Sequence, residues 1–209
     1  MEIDHVLFAV DDLPVAAQAM EARHGLSSIE GGRHPGWGTA NRIVPLGDTY
    51  LELVTVVDQT EAAQSRFGSW VASAAGTLAG PFAWAVRTHR LEDVAHRLGL
   101  TVSAGSRVDR SGRPLRWRLA GVEHAAQESA LPFFIEWEEG APLPGSARRA
   151  DVGGAFAIAS LRLSGDPDRL TAWLGPHAMP ITVRPGPSAV TGITLAGPAG
   201  EIVVGDATA

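Results

Sequence analysis

Apolar and polar residues along the chain fall into one unit that recurs three times at nearly equal intervals: an apolar strand, a capped amphipathic helix, and a glycine that stops it. The first copy runs Ile3-Asp4-His5-Val6-Leu7-Phe8-Ala9-Val10, then a helix over residues 12–24, then Gly25. The second runs from Phe82 to Arg87, then a helix carrying Leu91, Val94, Ala95 and Leu98 on one stripe, then Gly99. The third runs from Ala157 to Leu163, then a helix opened by Asp166-Pro167 and continued through Leu170, Trp173 and Leu174, then Gly175. Asp12 and Asp166 are suited to accept hydrogen bonds from first-turn amides, and Pro167 lacks only a donor that would go unused there. Arg23, His24, His96 and Arg97 place basic groups at the negative end of the helix dipole.

Strand patterns follow each helix. Residues 26–30, 39–46 and 50–57 complete the first copy, with Gly47-Asp48 as a tight turn. Residues 101–103, 114–120 and 133–137 complete the second, its first two strands joined by the turn Asp109-Arg110-Ser111-Gly112; residues 181–183, 190–195 and 201–204 complete the third. The predicted class is α+β, built from tandem βαβββ modules. The expected divisions are residues 1–58 for the first module, 59–80 for a linker helix carrying Phe67, Trp70, Val71 and Ala74, 81–138 for the second, 139–154 for a Gly- and Pro-rich connector, and 155–209 for a shorter third module.

Composition narrows the class of partner. The chain has 209 residues, 45% of them hydrophobic, and no apolar run approaches a membrane span, so a soluble protein without a membrane partner is expected. Glu2 and Asp4 break any secretory leader at the start, which makes the cytoplasm the expected compartment. With no cysteine, disulfides, thiolate metal sites and cysteine nucleophiles are excluded. A net charge of −6 argues against nucleic acid. Arg107, Arg110, Arg113, Arg116 and Arg118 form a local basic stretch, read first as a solvated hairpin rim, with an anion-binding role as the alternative.

Asp4-His5-Val6 at the opening, Leu51-Glu52-Leu53 at the close of the first copy, and the βαβββ tandem resemble the vicinal-oxygen-chelate superfamily of glyoxalase I, extradiol dioxygenases and bleomycin-resistance proteins. Residues 30–42 and 132–137 resemble its glyoxalase-like domain subgroup. The resemblance spans about residues 1–140. It implies modules that curl into a curved mixed sheet around a cleft, with a metal held by one residue from the first and one from the last strand of each module. Strand alternation puts His5, Leu7 and Ala9 on one face, and Tyr50, Glu52 and Val54 on one face. Aligning Leu13 with Leu91 sets His5 opposite Ala83, and Glu136 is taken as the counterpart of Glu52. The implied ligand set is therefore His5, Glu52 and Glu136, with no protein ligand at the fourth position. One histidine and two carboxylates suit a divalent Mn, Fe, Ni, Zn or Mg ion acting as a Lewis acid, with Glu52 or Glu136 moving a proton. The competing reading makes His5 a satisfied core histidine, with the two glutamates bonded to a ligand or to each other.

The Gly31 to Asn41 stretch is a second candidate. Its glycines allow close backbone approach, Arg33 and His34 can donate, and Trp37 offers a stacking wall, so a loop over the cleft is one reading and a plain tight connection the other. Thr39 and Asn41 share a strand face toward the ligand. Trp117, with its arginine neighbours turned the other way, is expected to line the cavity with Phe134 or simply to fill it. His124 and Glu128 stand four apart, more in keeping with a solvated face than with a metal pair, and no Gly-x-Ser-x-Gly elbow occurs.

Two functions lead among those consistent with these residues. One is metal-assisted chemistry on a small oxygen-rich molecule, in lyase, isomerase or dioxygenase style. The other is non-catalytic sequestration or sensing of a small molecule, as in the drug-resistance relatives. A third, a structural or partner-binding protein built around the extra module, would follow if side chains fill the cleft. The third module must cover its apolar face, either against the first two modules or across a two-fold homodimer.

Overall fold

The structure is a computed structural model and describes residues 1–75, 80–108, 112–146 and 156–205. Residues 109–111 of the expected turn and 147–154 of the expected connector lie outside these residues. The first module consists of β1 (Glu2–Ala9), α1 (Leu13–His24), β2 (Ile29–His34), β3 (Thr39–Pro45) and β4 (Tyr50–Val56). The second consists of β5 (Ala83–Arg87), α4 (Leu91–Leu98), β6 (Val102–Val108), β7 (Pro114–Ala120), α5 (Val122–Gln127) and β8 (Phe133–Trp137). Between them lie two short helices, α2 (Gln59–Ala63) and α3 (Arg66–Ala74), where one linker helix was expected; Ser65 ends the first and caps the second through Gly68 N. Helix signals read from the sequence act as proposed at α1, where the Asp12 carboxylate accepts from Val15 N at 2.8 Å and Gly25 closes the helix. At α4 no side chain caps the start, and its acidic residues Glu92 and Asp93 face the positive end of the dipole instead.

Eight strands close into a barrel in the order β1-β4-β3-β2-β6-β7-β8-β5. Each module contributes four strands, with its first and last in parallel: β1 beside β4 and β5 beside β8. Antiparallel pairing of β1 with β5, Val6 opposite Trp84, makes one seam. At the opposite seam β2 meets β6, and among the described residues the paired ones are Arg33 and Val108. β1 is buried on both faces from Ile3 to Ala9. Its inward side chains Leu7 and Ala9 join Val54, Ala83, Ala85, Phe133 and Ile135, together with Phe67, Trp70 and Val71 from α3, in an interior cluster. Its outward side chains Val6 and Phe8 join Leu51, Leu53, Trp84 and Phe134 in a second, larger one.

That outer cluster continues into the C-terminal unit, formed by β9 (Ala157–Ser164), α6 (Pro167–Leu174), β10 (Ile181–Arg184), β11 (Ala189–Gly197) and β12 (Gly200–Val204). The unit repeats the element order of the modules but not their strand pairing. Its sheet runs β10-β9-β11-β12, so its opening strand pairs with the two strands that follow it and not with the last. Leu161, Leu163, Ile193 and Leu195 from this sheet and Leu170 and Trp173 from α6 pack into the same core as the outer face of the barrel. Polar contacts fasten the join: Trp173 Nε1 donates to Pro132 O at 2.9 Å, and the Arg97 guanidinium donates to Ala172 O and Trp173 O. His124 and Glu128 belong to this contact, the first with its ring tilted against Trp173 and the second paired with Arg169.

Trp84 sits at the middle of this core, fully buried, with its indole nitrogen donating to Ala130 O at 3.1 Å. Trp84→Ala is expected to cost about 3–5 kcal/mol in urea unfolding, because it empties a cavity and strands a carbonyl. A loss below about 1 kcal/mol would contradict this packing.

Candidate functional site

Period-two alternation decides what faces the barrel interior. β1 supplies His5, β3 supplies Asn41 and Ile43, β4 supplies Tyr50 and Glu52, and β2 ends on His34. From the second module come Arg107, Trp117, Leu119, Phe133, Ile135 and Trp137, with Trp37 and Phe67 closing the aromatic wall. The chamber holds about 390 Å³ of empty space counting its mouth, and the enclosed part of it is small.

Two bulges place polar groups here. In β1 the pairing steps from Ile3 to His5, leaving Asp4 as the extra residue. Neighbouring strand residues normally point to opposite faces; here Asp4 and His5 meet, Nδ1 of His5 lying 2.6 Å from Asp4 Oδ1. The other Asp4 oxygen accepts from Trp137 Nε1 at 2.9 Å and faces Arg87 at 3.6 Å, so this buried carboxylate is held on both sides. In β2 the pairing steps from Glu30 to Gly32, making Gly31 the extra residue. Added to Gly31, a Cβ would lie 2.0 Å from Asn41 Oδ1 and 2.6 Å from one Arg107 nitrogen, so only glycine leaves those two side chains their places. Gly105 does the same for the indoles of Trp37 and Trp117.

Glu52 is the hub of the chamber. Asn41 Nδ2 donates to its Oε1 at 2.6 Å, His34 Nε2 lies 3.9 Å from the same oxygen, and His5 Nε2 lies 3.4 Å from Oε2. His5 is locked by Asp4 and by stacking on Tyr50, ring centres 4.6 Å apart. His34 is held at Nδ1 by Thr39 Oγ1, 2.8 Å away. Burial pushes the His34 imidazole down to about 4; the nearby Glu52 opposes this and Arg107 adds to it, so the ring is neutral at neutral pH. Burial, helped by Asp4 and Glu52, holds the Tyr50 phenol well above its ordinary value, so it keeps its proton.

The structure gathers His5, Glu52, His34, Trp37, Asn41 and Trp117 around this space, and Thr39 supports it through His34. Gly31 to His34 is strand and residues 35–38 are its turn, so the expected cleft-covering loop is a hairpin. Arg33 is exposed on the outer face. Glu136 and Phe134 are corrections. On β8 the inward residues are Phe133, Ile135 and Trp137, which turns Glu136 outward to Arg118 and to Leu91 N, and buries Phe134 against Trp173. Sheet register explains the error: Glu52 pairs with Leu7 and Phe133 with Ala85, and Leu7 and Ala85 are related by the same offset as Leu13 and Leu91. Phe133 is therefore the counterpart of Glu52, and a three-residue misalignment inverted the face. Arg107 is a further correction, since it enters the chamber and does not lie on a solvated rim.

This arrangement does not fit the divalent metal implied by the resemblance. Of the four module positions only His5 and Glu52 carry donors, Ala83 and Phe133 being apolar. His5 and His34 both approach Glu52, yet among the described residues no group of three His, Asp or Glu side chains is arranged to hold an ion. Tyr50, Asp4 and Trp137 also belong to the site, and the residue pattern assigns them no role in it. Tyr50 does share the Glu52 face by simple alternation.

Two βαβββ modules closed about a polar chamber define a vicinal-oxygen-chelate protein. The chain belongs to the glyoxalase-like domain family, whose model matches residues 3–178. No curated protein matches the sequence. Among solved structures, a hypothetical protein from Staphylococcus aureus superposes with a TM-score of 0.66 at 14% identity, covering 90% of this chain and 88% of that one. A methylmalonyl-CoA epimerase variant from Streptomyces coelicolor, in complex with 2-nitronate-propionyl-CoA, superposes at 0.47 with 18% identity over 67% of this chain and 96% of that one. The Mycobacterium tuberculosis methylmalonyl-CoA epimerase gives 0.45 and 19%, over 69% and 91%. At such identities the likeness is one of fold.

A pH test follows from His34. Its folded value near 4 lies below the unfolded 6.5, so between these pH values the unfolded chain binds more protons and the folded state loses stability as pH falls. The loss from this group is about 3 kcal/mol across the window. Urea midpoints of the wild type should fall more steeply from pH 6.5 to 4 than those of His34→Gln; equal slopes would refute a buried neutral ring.

Proposed function

We propose that the barrel interior binds a small oxygen-rich molecule and moves a proton at a carbon beside its carbonyl, in isomerase or lyase style. One observation carries this reading: Glu52 has one oxygen fixed by Asn41 and the other turned toward His5 Nε2, while the remaining nitrogen of His5 is fixed by Asp4. Such a pair is positioned for acid-base work, with each side chain oriented by a partner of its own. Glu52 Oε2 takes the proton as the C–H bond breaks, the electron pair moves onto the carbonyl oxygen, and His5 or Glu52 returns a proton to carbon. The Tyr50 hydroxyl and the Arg107 guanidinium line the space where the oxyanion would form, and aromatic walls keep bulk water out. No oxidant enters this balance.

A second reading, sequestration without chemistry, is favoured by the apolar Ala83 and Phe133 at two module positions and by the small free volume. Proton NMR in deuterated water separates the two. With a panel of small hydroxyaldehydes, hydroxyketones and hydroxy acids, the wild type is expected to exchange a carbon-bound proton of at least one member, and Glu52→Gln to lose at least about a hundredfold in rate. Binding without exchange in the wild type would establish the sequestering reading.

A further inference from the structure

Two polar atoms inside the chamber have no hydrogen-bond partner: the Oδ1 of Asn41, an acceptor, and one terminal nitrogen of Arg107, a donor. Both side chains line the chamber, and both atoms crowd the same point, the place a Cβ on Gly31 would take. A buried donor and a buried acceptor side by side, each unmatched, are costly unless something brings their complements. From this juxtaposition we infer that the ligand is a 2-hydroxy acid: its carboxylate accepts from Arg107 and its adjacent hydroxyl donates to Asn41 Oδ1.

Other features agree with this choice. Arg107 is the one arginine among the described residues that line the chamber, and its guanidinium acts electrostatically on both His34 and Tyr50, so its charge is felt throughout the space. Guanidinium suits a carboxylate because its planar fork matches two oxygens. The other Asn41 group is committed to Glu52, which fixes the amide and aims Oδ1 away from that carboxylate. A hydroxyl held by Oδ1 thereby sits one residue from the proposed proton acceptor. Bulges at Asp4 and Gly31 supply both halves of this arrangement, one for the acid-base pair and one for the clamp. The restricted space keeps such a ligand to a few heavy atoms.

The assignment deepens the proton-transfer reading and rests on the same chamber, but its test reads binding and not turnover. Isothermal titration calorimetry compares three probes of nearly equal size: lactate, with both groups; propionate, without the hydroxyl; and lactamide, without the charge. Wild-type protein is expected to bind lactate at least about tenfold more tightly than either of the others. Arg107→Met should abolish the preference of lactate over lactamide, Arg107→Lys should restore part of it, and Gly31→Ala should weaken lactate binding by displacing both side chains. Circular dichroism melts confirm that each variant is folded, and the lysine variant keeps the test valid should the methionine one unfold. Equal affinity for all three probes, no binding of any, or an undiminished preference in folded Arg107→Met or Arg107→Lys would overturn the assignment. Failure of proton exchange with lactate binding intact would instead remove the catalytic reading and leave the ligand class standing.

Discussion

The antiparallel pairing of β1 with β5 is the constraint from which the rest of the molecule follows. It joins the two modules, brings the fully buried Val6 and Trp84 opposite each other, and closes the barrel on its well-paired side. At the opposite seam, among the described residues, Arg33 pairs with Val108. Because the inward faces of both strands are committed to the interior, everything the chamber holds is set by which residues alternate inward. The irregularity in this pairing matters as much as its regularity. Without the extra residue at Asp4, the carboxylate and the His5 ring would lie on opposite sides of the sheet, and neither could orient the other.

Closing a barrel around a carboxylate brings a second requirement. Glu52 is 5% exposed, and a carboxylate so placed is stable only where neighbours replace the lost water. Asn41 supplies one hydrogen bond, and two imidazoles approach from either side. The surrounding rings of Tyr50, Phe133, Trp117 and Trp137 lower the local dielectric and make each of these interactions count for more. A neutral His34 fits this balance, since a charged ring beside Arg107 would add a second buried cation that Glu52 alone would have to offset. The interior is thus a polar kernel in an aromatic shell, with partners for nearly every buried group.

Much of this was legible in the residue pattern. Alternation alone placed His5 and Glu52 on the inner face, and the caps and glycines bounded the helices within a residue or two. Trp37, Asn41 and Trp117 also lie where their spacing put them. Reading failed where pattern gives no register. Nothing along the chain says which residue of 133–137 pairs with Ala85, so Glu136 was matched to Glu52 by residue type, and the face came out inverted. Asp4 was passed over because period-two logic sends it outward, and only the bulge brings it back. Arg107 looked like one more arginine in a basic hairpin; its entry into the barrel depends on the length of β6, which begins near the predicted strand but runs on to Val108. In the C-terminal unit, element order was evident while strand pairing was not, since pairing is decided by tertiary contacts that a linear pattern does not encode.

The shared outer core carries a consequence for how the molecule is divided. The family match ends at residue 178, between α6 and β10. A cut there would leave β9 without either of its neighbours, and would uncover Leu161, Leu163 and Trp173 on the outside of the barrel. The stretch covered by the family match and the stretch that shares the core are therefore different in this protein. The last three strands clad the outer face of the barrel, and Val190, Ile193, Leu195 and Val204 belong to the core they share with it.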